Sequence, residues 1–206
     1  MNILISAMMG QASTAVMIFH EERGLFLREY ATGHYSILPY FLTQFLSEAF
    51  MNLIASMTQS LIVYFMIGFH QRFWELLSVN FTLSMSVSAL AVWLGALFSD
   101  PRTASAMFTP CLVPQFYFSG VFIPINSVHR GVRWIQWICT LTYASRLSLV
   151  YEFGDCDSDL CSDFAEQNNI NSNDSWWYWL ALLGLFFLFR AVALYTVRSR
   201  ALYPSA

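Results

Sequence analysis

The chain has 206 residues, 57% hydrophobic and 11% charged, with a formal net charge of -3 and a mean hydropathy of +0.50. Soluble domains carry roughly 25% charged residues, so bilayer is the expected solvent for much of this surface, and the faintly acidic balance offers no basis for a nucleic-acid partner. All ten basic residues are arginine, which excludes the lysine that a P-loop needs to reach the β- and γ-phosphates, and HExxH, GxSxG and CxxC are all absent from the chain.

A helix that crosses a bilayer needs about 20 largely apolar residues, and five stretches qualify. The first is 2–19. No basic segment precedes it and no small-x-small cleavage site leads from it into a soluble domain, so it reads as a span that begins abruptly, as in a truncated chain, and not as a signal peptide. Next comes a charged amphipathic segment, His20 to Tyr35. Leu25, Phe26, Leu27 and Tyr30 give it an apolar side, while Glu21, Glu22, Arg23, Arg28 and Glu29 carry charges of both signs. A helix resting on lipid alone would be rich in bases. Balanced charge around an aromatic centre suits a protein partner on the cytosolic side; the alternative is a helix that caps the bundle.

The second span, 41–69, carries Gln44, Glu48, Asn52, Ser56 and Gln59 at helical spacing, one polar stripe that lipid would not tolerate. It must face protein or a watery cavity, either joining helices or belonging to a transport pathway or its gate. The third span, 73–98, presents Ser84, Ser88, Ala91 and Gly95, small residues that let backbones approach closely. Asn80 starts an acceptor tripeptide for glycosylation but lies within this span. The fourth span, 103–122, contains Pro110 and Pro114, with Gly120 and Pro124 near its end. Each proline removes a backbone hydrogen bond, so a broken helix is expected, either lining a substrate route or simply kinked for packing.

From 121 to 153 the chain stays apolar but is interrupted by Pro124, Gly131, Arg130, Arg133 and Arg146. A mid-membrane charge costs at least about 2.5 kcal/mol, and Trp134, Trp137 and Tyr143 prefer the headgroup level. A re-entrant or surface-lying pair of helices is expected here; a sixth crossing is the rival and would turn the following loop inward. That loop, Glu152 to Asp174, is acidic and has no base. Cys156 and Cys161 within it suit a disulfide in an oxidising lumen, and Asn173 opens a glycosylation acceptor sequence, so 121–175 is read as a re-entrant and external region. The fifth span, 176–197, begins with the aromatic belt Trp176, Trp177, Tyr178 and Trp179. Arg190 lies about 21 Å further along, where an arginine can snorkel to the inner boundary. The four histidines, His20, His34, His70 and His129, are scattered. No catalytic constellation and no metal site is expected, and the lack of clustered histidines or carboxylates in the spans argues against a membrane-embedded enzyme.

Two stretches resemble one family. "EERGLFLREYATGHYSILPYFL" is similar to the first intracellular loop of the white/brown (G) subfamily of ABC transporters, ER-x-x-F-x-RE-x-x-x-x-x-Y, through Glu22, Arg23, Phe26, Arg28, Glu29 and Tyr35. "FYFSGVFIPINSVHRGVRWIQWICTLTYASRLSLVYEF" resembles the family's F-x-G-x-F…IP…W-x-x-W…Y region through Phe118, Gly120, Phe122, Ile123, Pro124, Trp134, Trp137 and Tyr143.

The resemblance implies an all-α, polytopic transmembrane bundle, the ABC2-type membrane domain of a half-transporter. The family places a nucleotide-binding domain before six spans, so the five spans here correspond to its second to sixth. ATP and magnesium would sit on that other domain, and this chain is no enzyme by itself. Implied partners are the bilayer, a nucleotide-binding domain, a second half-transporter (identical or not) and a lipid-like or amphipathic substrate. Residues 20–36, through the six loop positions just named, would couple the nucleotide-binding domain to the membrane. Met8, Met9, Thr109, Val113 and Phe116 would line the substrate space, with Val121 and Phe122 at the gate. The family's external disulfides match Cys156 and Cys161. The protein would reside, multi-pass, in the plasma membrane or an endomembrane. The functional alternative is a transport-inactive fragment or a regulatory partner of an ABC transporter.

Overall fold

Residues 4–10, 37–68, 72–98, 100–119, 133–153 and 175–202 are described in the computed structural model, and all their regular structure is helical. Residues 4–10 form α1. They are followed by α2 (Ile37–Ile67), α3 (Phe73–Leu97), α4 (Pro101–Phe118), a 3-10 turn (Arg133–Trp137), α5 (Thr140–Phe153) and α6 (Ser175–Leu202). Among the described residues three stretches are long and apolar enough to cross a membrane: Phe41–Ile67, Phe73–Leu97 and Ser175–Ser199. They coincide with the expected second, third and fifth spans. Most of the expected first span, 2–19, lies outside the described residues.

The link between α2 and α3 is explained by local chemistry. Gly68 adopts a φ of 69°, in the left-handed region open to glycine, and its N–H donates to the Tyr64 carbonyl at 3.1 Å, closing α2. Glu75 sits in the first turn of α3, where the helix dipole favours an acid. Its carboxylate accepts from the Arg72 backbone N–H at 3.4 Å.

α3 is the centre of the bundle. In its apolar window 78% of residues are buried, against 17% in α2 and 28% in α6. A helix that is apolar all round belongs inside, and α3 is enclosed mainly by α6 and α2, with α5 and α4 completing the wall. Ser84, Ser88, Ala91 and Gly95 are all buried. Lipid tails are as apolar as leucine, so burial alone gives helices little reason to associate in a bilayer; close packing and hydrogen bonds do that work. The polar side chains of α3 are largely satisfied within the helix: the hydroxyls of Thr82, Ser84 and Ser86 donate to the carbonyls of Ser78, Asn80 and Thr82 at 2.8–2.9 Å. On the α6 side Trp93 stacks on Phe189, 6.3 Å between centroids.

α4 corrects one expectation: it runs unbroken through Pro110 and Pro114. The two prolines are one turn apart and therefore share a face, so the lost hydrogen bonds fall on one side. The other side presents Ala104, Phe108, Leu112 and Gln115, all buried, and this packing holds the helix together. Asp100 precedes the helix and Pro101 occupies its first turn, where a missing N–H is harmless.

α5, at 14 residues, is about 21 Å long, too short for a hydrocarbon core of about 30 Å. It is docked on α3 and α6, with Leu141, Ala144 and Leu147 fully buried. Its first turns also hold the end of α4. Thr142 Oγ1 donates to the Phe118 carbonyl and Ser145 Oγ to the Ser119 carbonyl, each at 3.2 Å, and Thr140 Oγ1 donates to Gln115 Oε1 at 2.8 Å. The last carbonyls of a helix have no intrahelical donor; here side chains of α5 supply it.

Candidate functional site

The polar stripe of α2 faces the protein. Gln44, Asn52 and Ser56 are buried, and Glu48 is nearly so. Toward the α3 side, Asn52 Nδ2 lies 3.3 Å from Met85 Sδ, a weak acceptor, and Asn80 Nδ2 donates to Ser60 Oγ at 3.1 Å. Ser56 Oγ donates to the Asn52 carbonyl at 2.6 Å. Gln59 bonds Ser6 of α1 through its amide. The stripe thus joins α2 to α1 and α3.

Glu48 reaches further. Its carboxylate pairs with the Arg190 guanidinium of α6, and both side chains are only 12% exposed. Phe45 and Phe186, whose ring centroids are 6.0 Å apart, pack side by side against the cation, 5.5 and 5.8 Å from its central carbon. Arg190 therefore does not snorkel; it turns inward onto an acid. A charge without a partner at this depth would be expensive, and each residue neutralises the other. Spacing alone gave no sign of this pairing. The one available clue was an acid on one span and a base on another, both set back from the helix ends.

The residues expected to line the substrate space divide. Thr109 and Val113 lie on the exposed face of α4, and Phe116 is half-buried. Met9 is exposed, whereas Met8 is fully buried and packs in the same core as Leu4, Leu83 and Leu112. Glu22, Arg23, Phe26, Arg28, Glu29, Tyr35, Val121, Phe122, Cys156, Cys161 and Asn173 lie outside the described residues. Among the described residues no group of histidines, cysteines and carboxylates could hold a metal ion.

Comparison with known proteins accords with this architecture. The family model described as ABC-2 type transporter matches residues 1–153. The chain is 28% identical over 143 residues to ABC transporter G family member 25 of Arabidopsis thaliana, covering 68% of this chain and 21% of that protein. It is 30% identical over 183 residues to ABC transporter G family member 36 of Oryza sativa subsp. indica, covering 84% of this chain and 12% of the relative. To the broad substrate specificity ATP-binding cassette transporter ABCG2 of Sus scrofa it is 26% identical over 166 residues, 79% of this chain and 24% of the relative. The chain thus spans less than a quarter of the length of these relatives. With apolar spanning helices, a helical fold throughout the described residues and a family match over most of its length, this integral membrane chain belongs to the ABC-2 type transporter family, as a G-type transporter membrane domain.

Proposed function

We propose that this chain forms the membrane half of a G-type exporter. It pairs with a second such half and with nucleotide-binding domains, and moves lipid-like or amphipathic substrates. The observation that carries the reading is the family match over residues 1–153, supported by G-type relatives over most of the chain. ATP and magnesium act on the partner domain, because this chain has no lysine for a phosphate-binding loop. Residues 20–36 couple the two parts through Glu22, Arg23, Phe26, Arg28, Glu29 and Tyr35. ATP can drive transport only by stabilising one membrane conformation over another, so the coupling segment must engage the ATPase differently in the two states. Met9, Thr109, Val113 and Phe116 face the substrate space between the halves, with Val121 and Phe122 above it. Met8, enclosed within this half, supports that wall from behind.

The test is charge reversal at Glu22 and Arg28 in a transporter that joins this chain to a G-type nucleotide-binding domain. The double variant, reconstituted in proteoliposomes, is expected to keep hydrolysing ATP while export of a fluorescent phospholipid falls to background. Wild-type transport by a folded double variant would overturn the coupling role. Failure of the unmodified joined transporter to move any amphiphile would overturn the exporter reading itself.

A further inference from the structure

At the Ser175 end of α6, the 3-10 turn, α5 and α6 line an open cavity of about 440 Å³, within the range of small-ligand sites, roughly 300–1,000 Å³. Trp134, Trp137, Tyr143 and Tyr178 supply aromatic walls, and Gln136 and Arg146 supply the polar groups. The walls are held in place. The Tyr143 hydroxyl donates to the Trp137 carbonyl at 3.2 Å, fixing the 3-10 turn to α5. Trp179 Nε1 donates to the Tyr151 hydroxyl oxygen at 2.9 Å, fixing α6 to α5. A site that is already shaped loses less entropy when a ligand enters.

Two polar side chains that line this cavity find no acceptor among the described residues. Gln136 is 8% exposed, yet its Nε2 donates to nothing among the described residues. A buried donor left unpaired is costly, and in a native site it calls for an acceptor. The Arg146 guanidinium lies 5.6 Å from the Tyr178 ring centroid but has no carboxylate partner among the described residues. The polar side of the cavity therefore offers a cation and an amide side chain that pair with no acid among the described residues. Its other side offers indole and phenol faces of the kind that settle at headgroup level.

We infer that this cavity binds the acidic head of an amphiphile, with a carboxylate, sulfonate or phosphate on Arg146 and Gln136 and the apolar body against Trp134 and Trp137. Nothing in this depends on the export reading. The same chemistry serves an anionic lipid of the surrounding leaflet or a free organic acid that reaches the interface.

The test uses the full chain in nanodiscs of phosphatidylcholine at alkaline pH, with dibromostearate as the ligand probe. Bromine quenches tryptophan emission on contact, and the methyl ester of the same acid is the uncharged control. The acid is expected to saturate quenching at a concentration roughly tenfold below the ester, the scale of one charge-assisted hydrogen bond. Arg146→Gln should abolish that preference and Arg146→Lys should keep most of it. Gln136→Leu should weaken the acid severalfold and leave the ester unchanged, which keeps the test decisive should the Arg146 variant fold poorly. Adding phosphatidic acid to the disc separates the two sources. A curve displaced to higher concentration assigns the cavity to a bilayer lipid, and an unmoved curve assigns it to free organic acids. Equal quenching by acid and ester, or a preference that survives both Arg146→Gln and Gln136→Leu, would overturn the inference.

Discussion

Glu48 of α2 and Arg190 of α6, 142 positions apart in sequence, form an ion pair packed against the adjoining rings of Phe45 and Phe186. The pair is nearly dry, and the Nε and Nη1 atoms of Arg190 find no other acceptor among the described residues. The cation therefore depends on one carboxylate. Removing either partner leaves an uncompensated buried charge, which costs about 3–5 kcal/mol, whereas replacing both with apolar residues is far cheaper. Glu48→Ala and Arg190→Ala should each lower the thermal midpoint of the detergent-solubilised chain sharply. The double change Glu48→Leu with Arg190→Leu should recover most of the loss. Strictly additive effects would mean the two residues act independently.

The end of α4 depends on α5. Thr142→Val and Ser145→Ala each remove a hydroxyl that caps a terminal carbonyl, of Phe118 and Ser119 respectively. Each loss should cost about 1 kcal/mol. Because the two caps serve adjacent carbonyls, the double variant should show increased hydrogen exchange confined to the last turn of α4. Uniform loss of protection across the bundle would contradict this local role.

In α3 the small residues set the distance to neighbouring helices. Ala91 is fully buried among them, so Ala91→Leu should overpack the interface and cost about 1–3 kcal/mol. Phe65 on α2 is highly exposed, and Phe65→Leu there should change stability by less than about 0.5 kcal/mol. Denaturation of the two variants side by side gives the comparison.

Cys139, between the 3-10 turn and α5, is buried, and burial pushes its thiol from 9.0 up to about 11. The thiolate is the nucleophile. A rise from 9.0 to about 11 therefore lowers the reactive fraction near neutral pH by about a hundredfold. Alkylation by maleimide, followed on the Cys139 peptide by mass spectrometry, should be slow at neutral pH and should accelerate roughly tenfold per pH unit beyond pH 9. A rate that levels off near pH 9 would indicate a thiol in contact with water.

What could be read from the residues followed the range of the interaction. Gln44, Glu48, Asn52 and Ser56 recur at four-residue intervals, and that local period is enough to place them on one inward face. Their partners are not local. Arg190 looked like a residue reaching for the membrane surface because helix rise gives its depth but says nothing about which way it turns. Pro110 and Pro114 suggested a break because their covalent cost is known in advance, whereas the packing of Phe108, Leu112 and Gln115 that outweighs it emerges only in three dimensions. Gln136 has no periodic signature at all; its buried, unpaired donor becomes visible only once the 3-10 turn is packed against α5 and α6.

Among the described residues the most extensive helix interface is that between α3 and α6, and it has a consequence for biogenesis. A ribosome completes α3 about a hundred residues before it finishes α6, so the central mast must wait in the translocon or the bilayer without its main companion. Serines that bond their own helix make that wait tolerable, and the bundle closes around α3 only when α6 arrives. Nascent chains stalled before residue 175 should accordingly be held by insertion chaperones, while chains released after residue 202 should not.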